Sequence, residues 1–206
     1  MLKVWGRRNS SNVQKVLWFC DEAALRFKHE EIGGEFGRTA DADMLARNPN
    51  ARVPTIEDDG FVLWESNAIL RYLGAKYASG AMFPTELKAR GDADRWMDWQ
   101  QSTVLAPLTT IFWGRVRTPE AYTEEQIAQA ETAAVQLWKI LDTRLKGRDW
   151  IMGDTFTIAD IPLAILAWRW FSLAKEPPTM AALDAWFVRI RARPAFEARV
   201  SSIPLT

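Results

Sequence analysis

The feature that most constrains this chain is a proline at the mouth of a strand. In Asn50-Ala51-Arg52-Val53-Pro54-Thr55-Ile56 the sequence passes from loop residues into a strand pattern at the Val53-Pro54 step. Pro54 has no N–H to give to a sheet ladder, which confines the predicted strand, residues 53–57, to a strand start or a sheet edge. An X-Pro bond can also be cis at modest cost. That would turn the Val53 N–H and C=O outward, where an extended peptide can pair with them as a strand does. Asp58-Asp59-Gly60 has turn chemistry, and Phe61-Val62-Leu63-Trp64 resumes as a second short strand, which makes a hairpin.

Helix signals follow at once. Ser66 is a suitable N-cap, and Ile69, Leu70, Leu73 and Tyr77 recur at the spacing of one apolar face. The N–H groups of that first turn and the positive end of the helix dipole make an anion site. A ligand carboxylate could rest on the Ser66 N–H and hydroxyl, with Glu65 pairing to an α-ammonium. Alone, Glu-Ser is an ordinary helix start. Behind the Val-Pro hairpin, it completes a site for a small peptide.

These residues resemble the glutathione-binding half of the glutathione S-transferase family, and the resemblance runs over the whole chain. It implies that Val53, before Pro54, pairs with the cysteinyl backbone of glutathione, and that Glu65 and Ser66 hold its γ-glutamyl end. Arg52 matches a basic position that holds the glycyl carboxylate; Arg38 is a second candidate for that carboxylate.

The chemistry depends on the first loop, Gly6-Arg7-Arg8-Asn9-Ser10-Ser11-Asn12-Val13. A free cysteine-type thiol titrates near pKa ~8.5, and only the thiolate is a good nucleophile. A hydroxyl or amide donor at the start of the first helix can stabilise it. The loop has no Tyr and no Cys, so the resemblance is to the serine, theta-like classes or to the bacterial nu class. On that resemblance Ser10 is the expected thiolate donor, Asn12 the second donor and Ser11 the N-cap, with Ser11 open as an alternative donor. Ser11 stands where the nu class has proline.

The rest of the chain gives the organisation. Residues 2–5 read as strand, 11–24 as helix, 26–32 as strand and 42–47 as a short helix. With the hairpin and third helix this makes β-α-β-α-β-β-α, a mixed-sheet α/β domain of thioredoxin-like order over residues 1–78. Residues 79–85 read as a linker. Residues 86–206 read as an all-α domain: a stripe of Trp96, Trp99, Val104, Leu108 and Phe112 over residues 86–113, ended or kinked by Pro107, then a helix over 123–145 with Ile127, Val135, Leu137, Leu141 and Leu145 as core. Thr157 with Asp160 reads as a capping box, with Phe156 and Ile161 as its hydrophobic staple and Ile158, Ile161, Ile165 and Trp168 as a buried stripe. The box resembles the folding signature of the transferases' helical domain, so Asp160 is expected to stabilise and not to catalyse.

Composition narrows the function. The chain has 206 residues, 48% of them hydrophobic, and zero formal net charge, which gives no electrostatic case for nucleic acid or an anionic membrane. Its start lacks a signal-peptide core, and a cytoplasmic location is expected. A single Cys and a single His exclude an intrachain disulfide and disfavour a protein-only metal site. Cys20 shares a helical stripe with Val13, Val16, Leu17 and Ala24 and reads as core. His29 reads as part of an edge strand.

The resemblance implies a homodimeric detoxification enzyme with glutathione as co-substrate and no metal, conjugating the thiol to a small hydrophobic electrophile against Phe112, Trp113 and Trp168. Glutathione-dependent disulfide reduction and a non-catalytic binding module are the alternatives.

Overall fold

A computed structural model describes residues 1–206. Four short strands form one mixed sheet in the order β2-β1-β3-β4. β1 (Leu2–Trp5) runs parallel to β2 (Phe27–Glu30) and antiparallel to β3 (Thr55–Asp58), which turns into β4 (Phe61–Trp64). Asp59 and Gly60 carry the turn with φ of 51° and 87°, the two left-handed residues of a tight hairpin turn, so the Asp-Gly pair is placed where its chemistry demands. Alternation along β1 divides its side chains between two faces. Leu2, Val4 and Ile56 join the main core under α1 (Ser11–Glu22) and α3 (Ser66–Tyr77), while Trp5 meets Ile32 and Met44, from α2 (Ala42–Arg47), on the other side.

The helical part begins with α4 (Leu87–Trp99), capped by the Glu86 carboxylate on the N–H groups of Lys88 and Ala89 at 3.0 and 2.8 Å. A wider π-type turn, Gln100–Val104, carries the helical path into α5 (Leu105–Phe112). Pro107 therefore does not end the path. It lies in the first turn of α5, immediately beyond the wide turn, where a missing N–H is tolerated and the altered bonding absorbs its ring. α6 (Glu124–Leu145) starts at a full capping box between Thr123 and Gln126. Its fully buried residues are Ile127, Ala134, Trp138, Leu141 and Leu145; Val135 and Leu137 only flank the core. α7 (Asp160–Leu173) is buried nearly all round, as the central helix of a bundle is, and α8 (Ala181–Arg191) and α9 (Pro194–Phe196) close over it.

One core cluster of 42 residues runs through both parts. The stretch between α3 and α4 is packed: Phe83 lies against Gly74, where a Cβ would come within 3.0 Å of its ring, and the Met82 carbonyl accepts the Ile158 N–H at 3.0 Å. Bidentate pairs Arg193–Glu22 and Arg199–Asp21 fasten α1 to the C-terminal segment. No helix is long and apolar enough to cross a membrane. Cys20 is fully buried on α1, and burial pushes its thiol up to about 12. His29 donates Nε2–H to the Gly6 carbonyl at 2.7 Å, which steadies the first loop.

Two buried charges tie elements together. Asp160 accepts from the N–H of Ile151 (3.0 Å), the N–H of Thr157 (2.9 Å) and the Trp186 indole (2.9 Å), so it joins the α6–α7 loop, α7 and α8. The Thr157 hydroxyl accepts the Ala159 N–H, and α7 starts at Asp160, so the reciprocal box is tighter than the expected one. Phe156 packs on Trp18 and Trp150. The second charge, Lys15, is 2% exposed in the middle of α1. Its ammonium donates to Ser66 Oγ (3.2 Å) and Asn67 Oδ1 (3.2 Å) on α3 and to Gln100 Oε1 (3.1 Å) on the wide turn. Burial, against the pull of Glu65, brings its pKa down to about 7.

Asp160→Ala strands several donors and is expected to cost at least about 3 kcal/mol, read from urea midpoints. Lys15 gives a pH signature. The unfolded chain holds its proton up to 10.5 and the folded chain releases it near 7, so the unfolded state binds more protons in between and stability rises with pH. Wild type should gain on Lys15→Met as pH is raised from about 7 to about 9, by no more than about 1.4 kcal/mol per unit. A flat difference between the two proteins means the ammonium stays charged throughout.

Candidate functional site

The first loop leaves β1 beside β2, with Gly6 N–H on the Glu30 carbonyl (2.9 Å) and Arg7 N–H on that of Ile32 (2.8 Å). Gly6, at φ 148°, lets it pass close to its neighbours: a Cβ there would lie 2.5 Å from Val13 Cγ2 and 3.0 Å from Val53 Cβ. The first helical bond runs from the Gln14 N–H to the Ser10 carbonyl at 2.8 Å, which makes Ser10 the N-cap and Ser11 the first residue of α1. The expected cap at Ser11 is thus one residue late. Ser10 has extended backbone and its hydroxyl makes no capping bond, so the side chain is available for something other than the helix.

The Val53-Pro54 bond is cis, and β3 begins only at Thr55, later than the predicted start at Val53. Asn48, 3% exposed, secures the loop from behind: its amide donates to the Arg52 carbonyl (2.9 Å) and Thr55 Oγ1 (3.1 Å), and its oxygen accepts the Asn50 N–H (3.1 Å). Val53 is left with its backbone outside the ladder.

Glu65, not Ser66, is the N-cap of α3, at φ 73° and ψ 109°. A glutamate in this region is strained, and such strain persists where the surroundings over-determine it, as functional sites do. The twist exposes Glu65 and tucks Ser66 inward, 4% exposed, as the first helical residue. The Ser66 hydroxyl takes a bond from Lys15 and donates to Asn12 Oδ1 at 3.2 Å, a relay from the buried ammonium to the first loop.

Ser10, Asn12, Arg52, Val53, Pro54, Glu65 and Ser66 all border one cleft of about 270 Å³. Chemically it offers a hydroxyl at one wall, a free strand-like backbone at another, a carboxylate at a helix start and a guanidinium across from it. That set matches an extended zwitterionic peptide. Ser11 does not border the cleft. Arg38 is turned away, paired with Glu30 and Asp41 at 2.5 and 3.3 Å.

None of the three aromatic candidates borders it either. Phe112 is 2% exposed beneath two guanidiniums, Arg169 at 4.0 Å and Arg117 at 5.2 Å from the ring centre. Trp168 packs edge-on to Phe196, a core contact. Trp113 is 38% exposed under Arg117.

Sequence reasoning passed over Lys15, Asn48, Gln101 and Arg7. A signal existed for Lys15, since it interrupts a run, Val13 to Cys20, that is buried on every side. Gln101 reaches the cleft because the wide turn rotates it there, and no local pattern announced that turn.

Comparison with known proteins agrees with this architecture. The family "Glutathione S-transferase, N-terminal domain" matches residues 1–75, and "Glutathione S-transferase, C-terminal domain" matches residues 104–194. Glutathione S-transferase GstB of Escherichia coli (strain K12) is 36% identical over 209 residues, covering 100% of both chains. Glutathione S-transferase 3 of Zea mays is 31% identical over 99% of this chain and 95% of its own. Among solved structures, the theta class glutathione S-transferase of Xanthomonas axonopodis pv. citri with glutathione bound superposes with a TM-score of 0.92 at 43% identity, covering 100% of this chain and 99% of that one. With both domain families matched and full-length relatives above 30% identity, the chain belongs to the glutathione S-transferase family.

Proposed function

We propose that the protein binds glutathione in the cleft between the first loop, the Val53-Pro54 step and the start of α3, and transfers its thiol to an electrophilic carbon. The observation that carries this is the Ser10 hydroxyl. It sits at a helix N-cap without serving the cap, in the same cleft as Val53, Glu65 and Ser66. Support also comes from the Xanthomonas structure, which is described with glutathione bound.

In this reading the cysteinyl segment pairs with the Val53 backbone. Ser66, with Lys15 behind it, takes the γ-glutamyl carboxylate while Glu65 takes the α-ammonium, and Arg52 takes the glycyl carboxylate. The Ser10 O–H donates to the sulfur, and the positive end of α1 adds to it, so the bound thiol loses its proton more readily. The Asn12 amide is a second donor on the same side, its oxygen already engaged by Ser66. The thiolate attacks the electrophile, forms the C–S bond and expels the leaving group, with orientation and charge stabilisation as the protein's contribution. A homodimer fits the same reading, since the hairpin presents Phe61, 50% exposed, next to Tyr72 on α3.

Calorimetric titration with glutathione, followed by the ultraviolet thiolate band across pH, tests the assignment. Wild type should bind and give a bound-thiol pKa below the free value of ~8.5. Ser10→Ala should keep most of the affinity and lose about tenfold in kcat/KM at neutral pH for each unit by which the thiol pKa rises. Ser66→Ala and Glu65→Ala should instead weaken binding by about tenfold or more. An unchanged pH-rate profile in Ser10→Ala, with a shift in Ser11→Ala or Asn12→Ala, would move the donor role to those residues.

A further inference from the structure

Lys15 sits in a cradle that is complete only while the group is charged. An ammonium carries three N–H groups, and the acceptors around this one are Ser66 Oγ (3.2 Å), Asn67 Oδ1 (3.2 Å) and Gln100 Oε1 (3.1 Å), none of them a carboxylate. A neutral amine has one N–H fewer and would leave an acceptor unserved. Burial works the other way, because a charge only 2% exposed has lost its hydration. Geometry and burial therefore pull the group in opposite directions, and a modest charge from outside can decide between them.

The charges that already act on it come from the elements packed against α1. Burial lowers its pKa most, Glu65 at the start of α3 raises it, Arg169 on α7 lowers it, and the balance lies at about 7. The wide turn, Gln100–Val104, contributes amides and hydroxyls but no charge. The C-terminal segment meets α1 at its other end, where Arg193 and Arg199 are paired with Glu22 and Asp21.

One hydroxyl separates this group from the cleft. Ser66 Oγ takes the Lys15 N–H and donates in turn to Asn12 Oδ1 at 3.2 Å, and Ser66, Asn12, Glu65 and Gln101 all border the cleft. An anion bonded to Ser66 Oγ would lie within about 6 Å of the Lys15 nitrogen, near enough in a site away from water to favour the charged amine. The ligand's own ammonium goes to Glu65, which is exposed and not ion-paired with Lys15, so the carboxylate has the larger effect.

We propose that Lys15 is the counter-charge for the γ-glutamyl carboxylate, acting through the Ser66 hydroxyl, so that the protein takes up a proton from solvent as it binds glutathione. This rests on the glutathione-binding reading above and adds a positioning residue to it. The sign follows from linkage. The unbound protein holds the Lys15 proton only below about 7, and the bound protein, with an anion on Ser66, holds it to higher pH. Affinity is therefore full on the acid side and falls as pH rises through neutrality, because an increasing share of the molecules must first recover the proton. The same charge keeps Gln100 on the wide turn, so occupancy of the cleft strengthens the bond that joins the first domain to the helical one.

The test is calorimetric titration of the full-length protein with S-methylglutathione, which has no thiol proton to lose. Heats in two buffers of different ionisation enthalpy count the protons exchanged. From pH about 6 to about 7.5, below the range of the ligand's own amine, uptake should grow from about a tenth of a proton to about three quarters, and Kd should rise about fourfold. Lys15→Arg, whose charge does not titrate, should abolish the uptake and leave Kd flat; Lys15→Met should do the same at weaker affinity. Binding without proton uptake in wild type overturns the proposal, and so does uptake that survives in either variant. Should both variants fail to fold, His29→Gln decides, since it removes the only imidazole of the chain. Uptake retained there leaves the proton with Lys15, and uptake lost assigns it to His29 and overturns the proposal. If glutathione binds and its S-methyl derivative does not, the count is made with glutathione after subtracting the thiolate seen in its ultraviolet band. Absence of binding by both compounds removes the glutathione reading itself, an outcome distinct from binding without a proton.

Discussion

The Lys15 ammonium is the point on which both the scaffold and the cleft depend. It is 2% exposed, and its hydrogen-bond acceptors are Ser66 and Asn67 on α3 and Gln100 on the wide turn. A buried cation needs every one of those oxygens, because each missing acceptor exposes the full desolvation cost of the charge. Three segments distant in the sequence are thereby held in one geometry. Asn67 adds a bond from its amide to the Met97 carbonyl at 2.9 Å, closing α3 on α4. Ser66 faces the ammonium on one side and the first loop on the other, so the network that docks the helical part also orients the helix start that borders the cleft.

The cleft itself is made where local rules are broken. Glu65 accepts a left-handed backbone, Ser10 caps a helix without using its hydroxyl, and Val53 lies just outside the ladder, which begins at Thr55. Each departure leaves a polar group unused by the fold. A sequence that satisfied every local preference at these positions would have given a sheet and two well-capped helices with nothing free to hold a ligand.

Much of this was legible. The thioredoxin-like order, the helical second half and the hairpin all followed from period and turn chemistry, because those signals are local and strong: Asp59-Gly60 admits few other turns, and α7 carries an apolar run with a clear start. Ser10, Asn12, Arg52, Val53, Glu65 and Ser66 were found by resemblance, and the structure gathers them at one cleft. What stayed hidden depends on tertiary context. The caps moved by one residue at both Ser10 and Glu65, since a cap is decided by which carbonyl takes the first helical bond and not by which side chain could serve. Of the two outcomes expected at Pro107, an end or a kink, the helix does not end, and the π-type turn before it leaves no period in the sequence. Phe112 and Trp168 were expected as pocket walls from the resemblance; Phe112 lies buried beneath two arginines, and Trp168, partly buried, packs edge-on to Phe196.

The stretch between α3 and α4 was expected to be a linker, yet Phe83 is wedged against Gly74 and Met82 bonds across to Ile158, while one apolar core runs beneath. A joint packed in this way resists bending. The separation of the two parts is set by the volumes of buried side chains, so a visiting molecule meets a gap of fixed width and spends little freedom in closing it. Among relatives built the same way, what is admitted would then change through replacement of the residues that face the gap, one side chain at a time, and not through altered motion of one half against the other.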